Sequence, residues 1–223
     1  MQCKVCKHEN EDAASVCANC GADLQKPKSS SKRWLPFAIA GGVVVAIALI
    51  VAIVPMFTGG PGATAGSKSG DAELDAMLEE IVSTKTGTGE DALQKAFDYM
   101  SEYLYISQNE LPEGDWTTWS VPYAKEMYKN REGNCYRYAS LFCWIARYLG
   151  YDTKVISGRI PWQAELAPHA WVEIRVDGEV YVCDSDMHKF KPHLALFMVT
   201  YDEAPYEFHR VDGSLYTNAN ANE

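Results

Sequence analysis

The chain has 223 residues, 47% of them apolar and 22% charged, with a formal net charge of −10 and seven cysteines. Its charge is unevenly spread: from Asp71 onward 13 Lys and Arg stand against 26 Asp and Glu, a formal charge of −13, whereas residues 34–66 carry no Asp, Glu, Lys, Arg or His. An acidic surface of that kind excludes a nucleic-acid partner, which selects basic faces, and the unevenness requires the chain to be read in segments.

The first segment places Cys3, Cys6, Cys17 and Cys20 as two C-x-x-C pairs. Each pair turns two thiolates toward one point, and two facing pairs supply the four soft ligands of a structural zinc. Two disulfides or a redox C-x-x-C are the competing uses of the same residues. The run from Cys3 to Leu24 resembles the short zinc-ribbon family found at the ends of many bacterial chains, a resemblance that implies those four cysteines as ligands. A module over residues 1–25 is too small to bury a core, so Zn2+ would supply most of its folding free energy. With all four positions filled by sulfur, the zinc is structural, and no cofactor is expected for catalysis.

A basic segment, 26–33, holds Lys26, Lys28, Lys32 and Arg33, and is followed by 24 uncharged residues from Trp34 to Phe57. About 20 helical residues match a hydrocarbon core of roughly 30 Å, so 34–57 reads as a single span through the lipid bilayer. The basic residues before it put the amino terminus in the cytoplasm and the rest outside. A cleaved signal peptide ending near Ala63-Thr64-Ala65 is the alternative, but an apolar run this long behind a 33-residue leader fits an uncleaved anchor better. Residues 58–70, rich in Gly, Ser, Ala and Thr, form a flexible tether, and 71–223 is one domain.

Within that domain, Asp71–Val82 predicts a short helix. Asp91–Ile106 predicts a second, with Leu93, Phe97, Met100 and Leu104 on its buried face. Glu110–Ser120 reads as a loop, and a further helix starts at Pro122. Asn134 is a cap, and Cys135–Leu149 a helix with Tyr138, Phe142, Ile145 and Leu149 inward, stopped by Gly150. A thiol at a helix amino terminus meets the positive end of the macrodipole and unpaired N–H groups, a setting that favours thiolate and can stabilise an oxyanion.

Thr153–Ile160 predicts a strand, and Asp177-Gly178 marks a two-residue hairpin turn between two more. If Val176 faces Glu179, paired positions sum to 355. His169 then faces Asp186, while Asp184 is its diagonal neighbour on the same face, so either carboxylate can orient the imidazole. Cys143 and Cys183 read as buried packing, with a disulfide between them the alternative. Trp116, Trp119 and Trp171 either wall a cleft or fill the core.

Gly133-Asn134-Cys135 opening a helix, Arg137-Tyr-Ala-Ser-Leu after it, Ser157-Gly158 on the next strand, His169-Ala-Trp-Val, and an Asp 15 positions after that histidine together resemble the transglutaminase-like superfamily. The resemblance covers about Asp91 to Val211. It implies an α+β, papain-like core of amino-terminal helices packed on an antiparallel sheet. It also implies that Cys135 attacks an amide carbonyl, His169 carries the proton, and Asp184 holds the imidazole. Where family members often continue with Pro-Thr, this chain has Ser185-Asp186. The expected function is a thioester-forming protease, amidase or transamidase acting on protein or peptide outside the cell. A non-catalytic sensing domain, coupled through the span to a cytosolic partner of the zinc ribbon, is the second reading. The combination of ribbon, anchor and domain suggests a bacterial cell envelope.

Overall fold

The side chain of Asp71 accepts hydrogen bonds from the N–H groups of Glu73 and Leu74, which starts helix α1 (Ala72–Ile81) and turns Leu74, Leu78 and Ile81 inward. The computed structural model in which this is seen describes residues 69–107 and 111–221, together with Met1, Gln2, Glu9 and Glu11. The four proposed zinc ligands, the basic segment, the apolar run and the tether up to residue 68 lie outside the described residues. Among the described residues no helix is long and apolar enough to cross a membrane.

The second helix is shorter than its periodicity predicts. Helix α2 (Ala92–Tyr99) gives way to a 3-10 turn over Met100–Glu102, and Tyr103 is extended. Leu104, expected in the core, is 57% exposed. Strand pairing overrides the helical pattern: β1 (Leu104–Tyr105) lies parallel to β2 (Glu132–Gly133), with Tyr105 opposite Gly133. Helix α3 (Trp116–Asn130) begins six residues earlier than expected, because Asp115 caps it by accepting from the Thr117 N–H. Pro122 therefore sits inside the helix instead of opening it.

Helix α4 (Cys135–Tyr148) is capped by Asn134 as expected, and Gly150 follows with a positive φ of 97°. Its burial exceeds the expected single stripe, since every residue from Cys135 to Ala146 is buried. The reason is its central position, with α3 on one side and strands β3 (Asp152–Trp162) and β4 (Glu165–Val176) on the other. Phe142, Tyr138, Leu141 and Ile145 are fully enclosed there, each large apolar side chain contributing about 1.5–3 kcal/mol by leaving water.

Strands β3, β4 and β5 (Glu179–Cys183) form an antiparallel sheet in chain order. The β4–β5 register is the expected one, running from Val176 opposite Glu179 to Val172 opposite Cys183. Pairing stops there. The chain turns at Asp184 into the short helix α5 (Ser185–Phe190), so neither Asp184 nor Asp186 lies on the strand. The result is a mixed α/β core of helices against an antiparallel sheet.

Candidate functional site

Three segments converge on one point: the amino end of α4, the middle of β4, and the turn that opens α5. Gly133 precedes this end of α4 because space is lacking for anything larger. A Cβ there would lie 2.7 Å from Arg137 Cβ and 2.8 Å from Met127 Sδ. Gly158 plays the same part opposite His169, where a Cβ would meet the His209 carbonyl oxygen at 2.4 Å and the Trp171 ring at 2.5 Å.

Cys135 and His169 are both buried, and one reactive atom each of Cys135, His169 and Asp186 lies within 4.8 Å of the others. His169 Nε2 is 2.8 Å from Asp184 Oδ2 and 3.5 Å from Asp186 Oδ1. With Nε2 engaged by carboxylates, Nδ1 is the ring nitrogen left to take the proton of Cys135. Behind the imidazole the Trp171 ring lies nearly parallel, 22° between planes and 6.4 Å between centroids. Trp171 is thus a core residue, as is buried Trp119, and Trp116 is half-buried.

Asp184 is fully buried and densely bonded. Oδ2 accepts from His169 and from the Tyr206 hydroxyl at 2.6 Å, while Oδ1 accepts from the Met187 N–H, which makes Asp184 the cap of α5. Burial alone would push its carboxyl up, but the charge of His169 and these hydrogen bonds hold it below the usual range. Burial likewise disfavours an imidazolium at His169, and the charges of Asp184 and then Asp186 overcome that and raise it well above the ordinary histidine value. Burial, together with the neighbouring charge of Asp184, pushes Asp186 well up.

Cys143 and Cys183 are free, buried and apart from this cluster. Cys143 contacts Thr153 Oγ1 at 3.2 Å, and the Cys183 sulfur accepts from the Met198 N–H. Burial pushes both thiols up to about 12, which marks them as packing residues.

Two site residues escaped the sequence reading. Tyr206 lies 22 positions past Asp184 in a stretch without periodicity, and only tertiary packing brings it back. Tyr105 falls within the helix that the periodicity of Asp91–Ile106 predicts, but lies in β1. Its half-buried phenol is pushed up to about 12, first by burial and then by Cys135, and so stays a hydrogen-bond donor at neutral pH.

The model of the transglutaminase-like superfamily matches residues 75–184. Among solved structures, a candidate cysteine protease from Cytophaga hutchinsonii is similar at 15% identity and a TM-score of 0.41, covering 65% of this chain and 43% of its own. A TGase is similar at 16% identity and a TM-score of 0.36, covering 50% of this chain and 30% of its own. The chain thus spans less than half the length of either. No curated protein matches it.

Proposed function

We propose, from the premise that residues 75–184 carry a transglutaminase-like domain, that this domain is a cysteine acyl transferase or hydrolase working through Cys135, His169 and Asp184. The observation that carries the reading is the His169 ring, with buried Asp184 2.8 Å from its Nε2 and the Cys135 sulfur within 4.8 Å of a ring nitrogen. His169 Nδ1 takes the thiol proton, and the sulfur bonds to an amide carbonyl carbon. The developing oxyanion meets the Cys135 N–H at the first position of α4. The C–N bond then breaks, the amine leaves with the proton from His169, and a thioester remains on Cys135. Water releases an acid and makes the reaction hydrolysis; an amine releases a new amide and makes it transamidation. Asp184 steadies the imidazolium throughout.

The fuller reading extends beyond the described residues. The domain acts at the outer face of a membrane, anchored by a single span over 34–57, on protein or peptide amides. A structural zinc on Cys3, Cys6, Cys17 and Cys20 organises a cytoplasmic knuckle. The supports are the uncharged 24-residue run, the four basic residues before it and the paired cysteine spacing.

The test is iodoacetamide labelling of the full chain at about pH 6, read by peptide mass spectrometry, in native protein and in His169→Ala. The expected result is labelling of Cys135 well ahead of Cys143 and Cys183, falling about a hundredfold without His169. Labelling no faster than those two thiols, and indifferent to His169, would reject the enzyme in favour of a binding domain.

A further inference from the structure

Asp186 is a second carboxylate in a place where the proposed mechanism uses one. It is 3% exposed, and its Oδ1 lies 3.5 Å from the same His169 Nε2 that Oδ2 of the fully buried Asp184 approaches to 2.8 Å. Two carboxylates in contact inside a protein do not both ionise, because neither water nor distance separates the like charges. One proton must therefore stay on the pair, and the surrounding donors decide where. Asp184 accepts from the His169 ring, the Tyr206 hydroxyl and the Met187 N–H. Three donors favour the charged form of Asp184, so the proton belongs on Asp186, whose O–H points to Asp184.

We propose that Asp186 is a positioning residue acting through Asp184: it carries the one proton the pair shares and donates it to Asp184, so that His169 faces a single negative charge. This inference rests on the Cys135, His169 and Asp184 reading and explains what the Ser185-Asp186 departure does. Two full charges on Nε2 would hold the imidazolium too firmly to return its proton to a leaving amine, and none would leave the imidazolium unsupported. Burial and the charge of Asp184 both work to keep the Asp186 proton in place.

Cys135 and Tyr138 face Asp186 from α4, Tyr105 from β1 and Tyr206 from the carboxy-terminal segment. Lys189, on the same helix as Asp186, donates instead to the carbonyls of Ser101 and Tyr103. No lysine or arginine therefore competes for Asp186 among these contacts.

The test is the rate of Cys135 labelling by iodoacetamide across about pH 5–10 in full-length native protein, Asp186→Asn and Asp186→Ala, with His169→Ala alongside. Asp186→Ala strips one donor from Asp184, so its carboxylate takes up a proton more readily. The acid limb should move to higher pH, with labelling about fivefold slower on that limb, the equivalent of one hydrogen bond. Asp186→Asn supplies the same donor and never ionises, so it should restore the acid limb and remove the ionisation of Asp186 from the profile. Superimposable profiles for all three proteins, with labelling still dependent on His169, would overturn this inference and leave the triad standing. A shift in Asp186→Asn equal to that in Asp186→Ala would also overturn it, because charge and not a proton would then be what matters. Labelling indifferent to His169 removes the triad and this inference with it. Should Asp186→Ala fail to fold, the Asn profile alone still decides.

Discussion

Strand β4 carries two buried acid networks, one around His169 and one around Glu173, built from nearly the same parts. At the first, Asp184 accepts from the Tyr206 hydroxyl and from the His169 ring. At the second, Glu173, 3% exposed, accepts from the Tyr201 hydroxyl, which in turn accepts from Trp171 Nε1 at 2.9 Å. The difference lies in how the charge is balanced. Glu173 pairs with Lys154 at 3.0 Å, whose side chain is 41% exposed, so its counter-charge is an ammonium that reaches water. The charge on Asp184 is balanced by an imidazole, a group that can gain and lose a proton, beside a thiol. A buried carboxylate with a tyrosine donor is thus a fastening in one place and a proton-handling device in the other, according to the third partner.

The largest effects should come from removing either carboxylate. Asp184→Ala and Glu173→Ala each leave a partner or a donor stranded in the interior and should each cost about 3–5 kcal/mol in urea unfolding. Only Asp184→Ala should also abolish labelling of Cys135 at mildly acid pH, measured where both variants remain folded. Loss of Cys135 reactivity in folded Glu173→Ala would mean the two networks act as one unit.

Removing the hydroxyl donors is gentler. Tyr206→Phe and Tyr201→Phe each delete a hydrogen bond to a carboxylate, worth about 1.5–3 kcal/mol. They should look alike by thermal unfolding and differ in the pH profile of Cys135 labelling. The acid limb should move upward in Tyr206→Phe, since Asp184 loses a donor that favours its charged form, and stay in place in Tyr201→Phe. Matching profiles would break the distinction between the networks.

Stability against pH separates them again. The His169 pKa is raised in the folded protein. Its contribution is therefore fully present below the unfolded value of about 6.5 and is lost as pH rises through the folded value. The Asp184 pKa is lowered, so its contribution is present above the unfolded value of about 3.9 and is lost as pH falls through the folded value. Urea midpoints should accordingly decline on the alkaline side of neutrality in the native protein. That decline should be absent in His169→Gln and intact in Glu173→Gln.

How much of this was legible beforehand follows from what each feature depends on. The hairpin register came from one turn, Asp177-Gly178, because a two-residue loop leaves no freedom in which residues face each other. The Asn134 cap and Cys135 at a helix start were local as well. Leu104 was misplaced because helical periodicity continues past Tyr99 while parallel pairing with Glu132 and Gly133 decides the backbone. Pro122 misled because its usual place is the first turn, whereas Asp115 starts the helix upstream. Asp184 and Asp186 both reach His169 because the chain leaves the strand after Cys183 and coils into α5, a turn no alternation rule contains. Tyr206 depends wholly on tertiary packing and left no local trace.

The smallest expected effect concerns the lysine that distinguishes the second network. Lys154→Met keeps the aliphatic stem against the sheet and removes only the ammonium beside Glu173. Since that ammonium is already partly solvated, its attraction is screened, and the direct loss should be about 1 kcal/mol or less in urea unfolding. Water reaching the vacated position can solvate the outer oxygen of Glu173, while the Tyr201 hydroxyl still holds the inner one. Labelling of Cys135 should be unchanged across the whole pH range. A loss near that of Glu173→Ala would show that the glutamate depends on its lysine as completely as Asp184 depends on His169, and the contrast between a solvent-linked pair and an enclosed one would no longer explain why one network is inert and the other reactive.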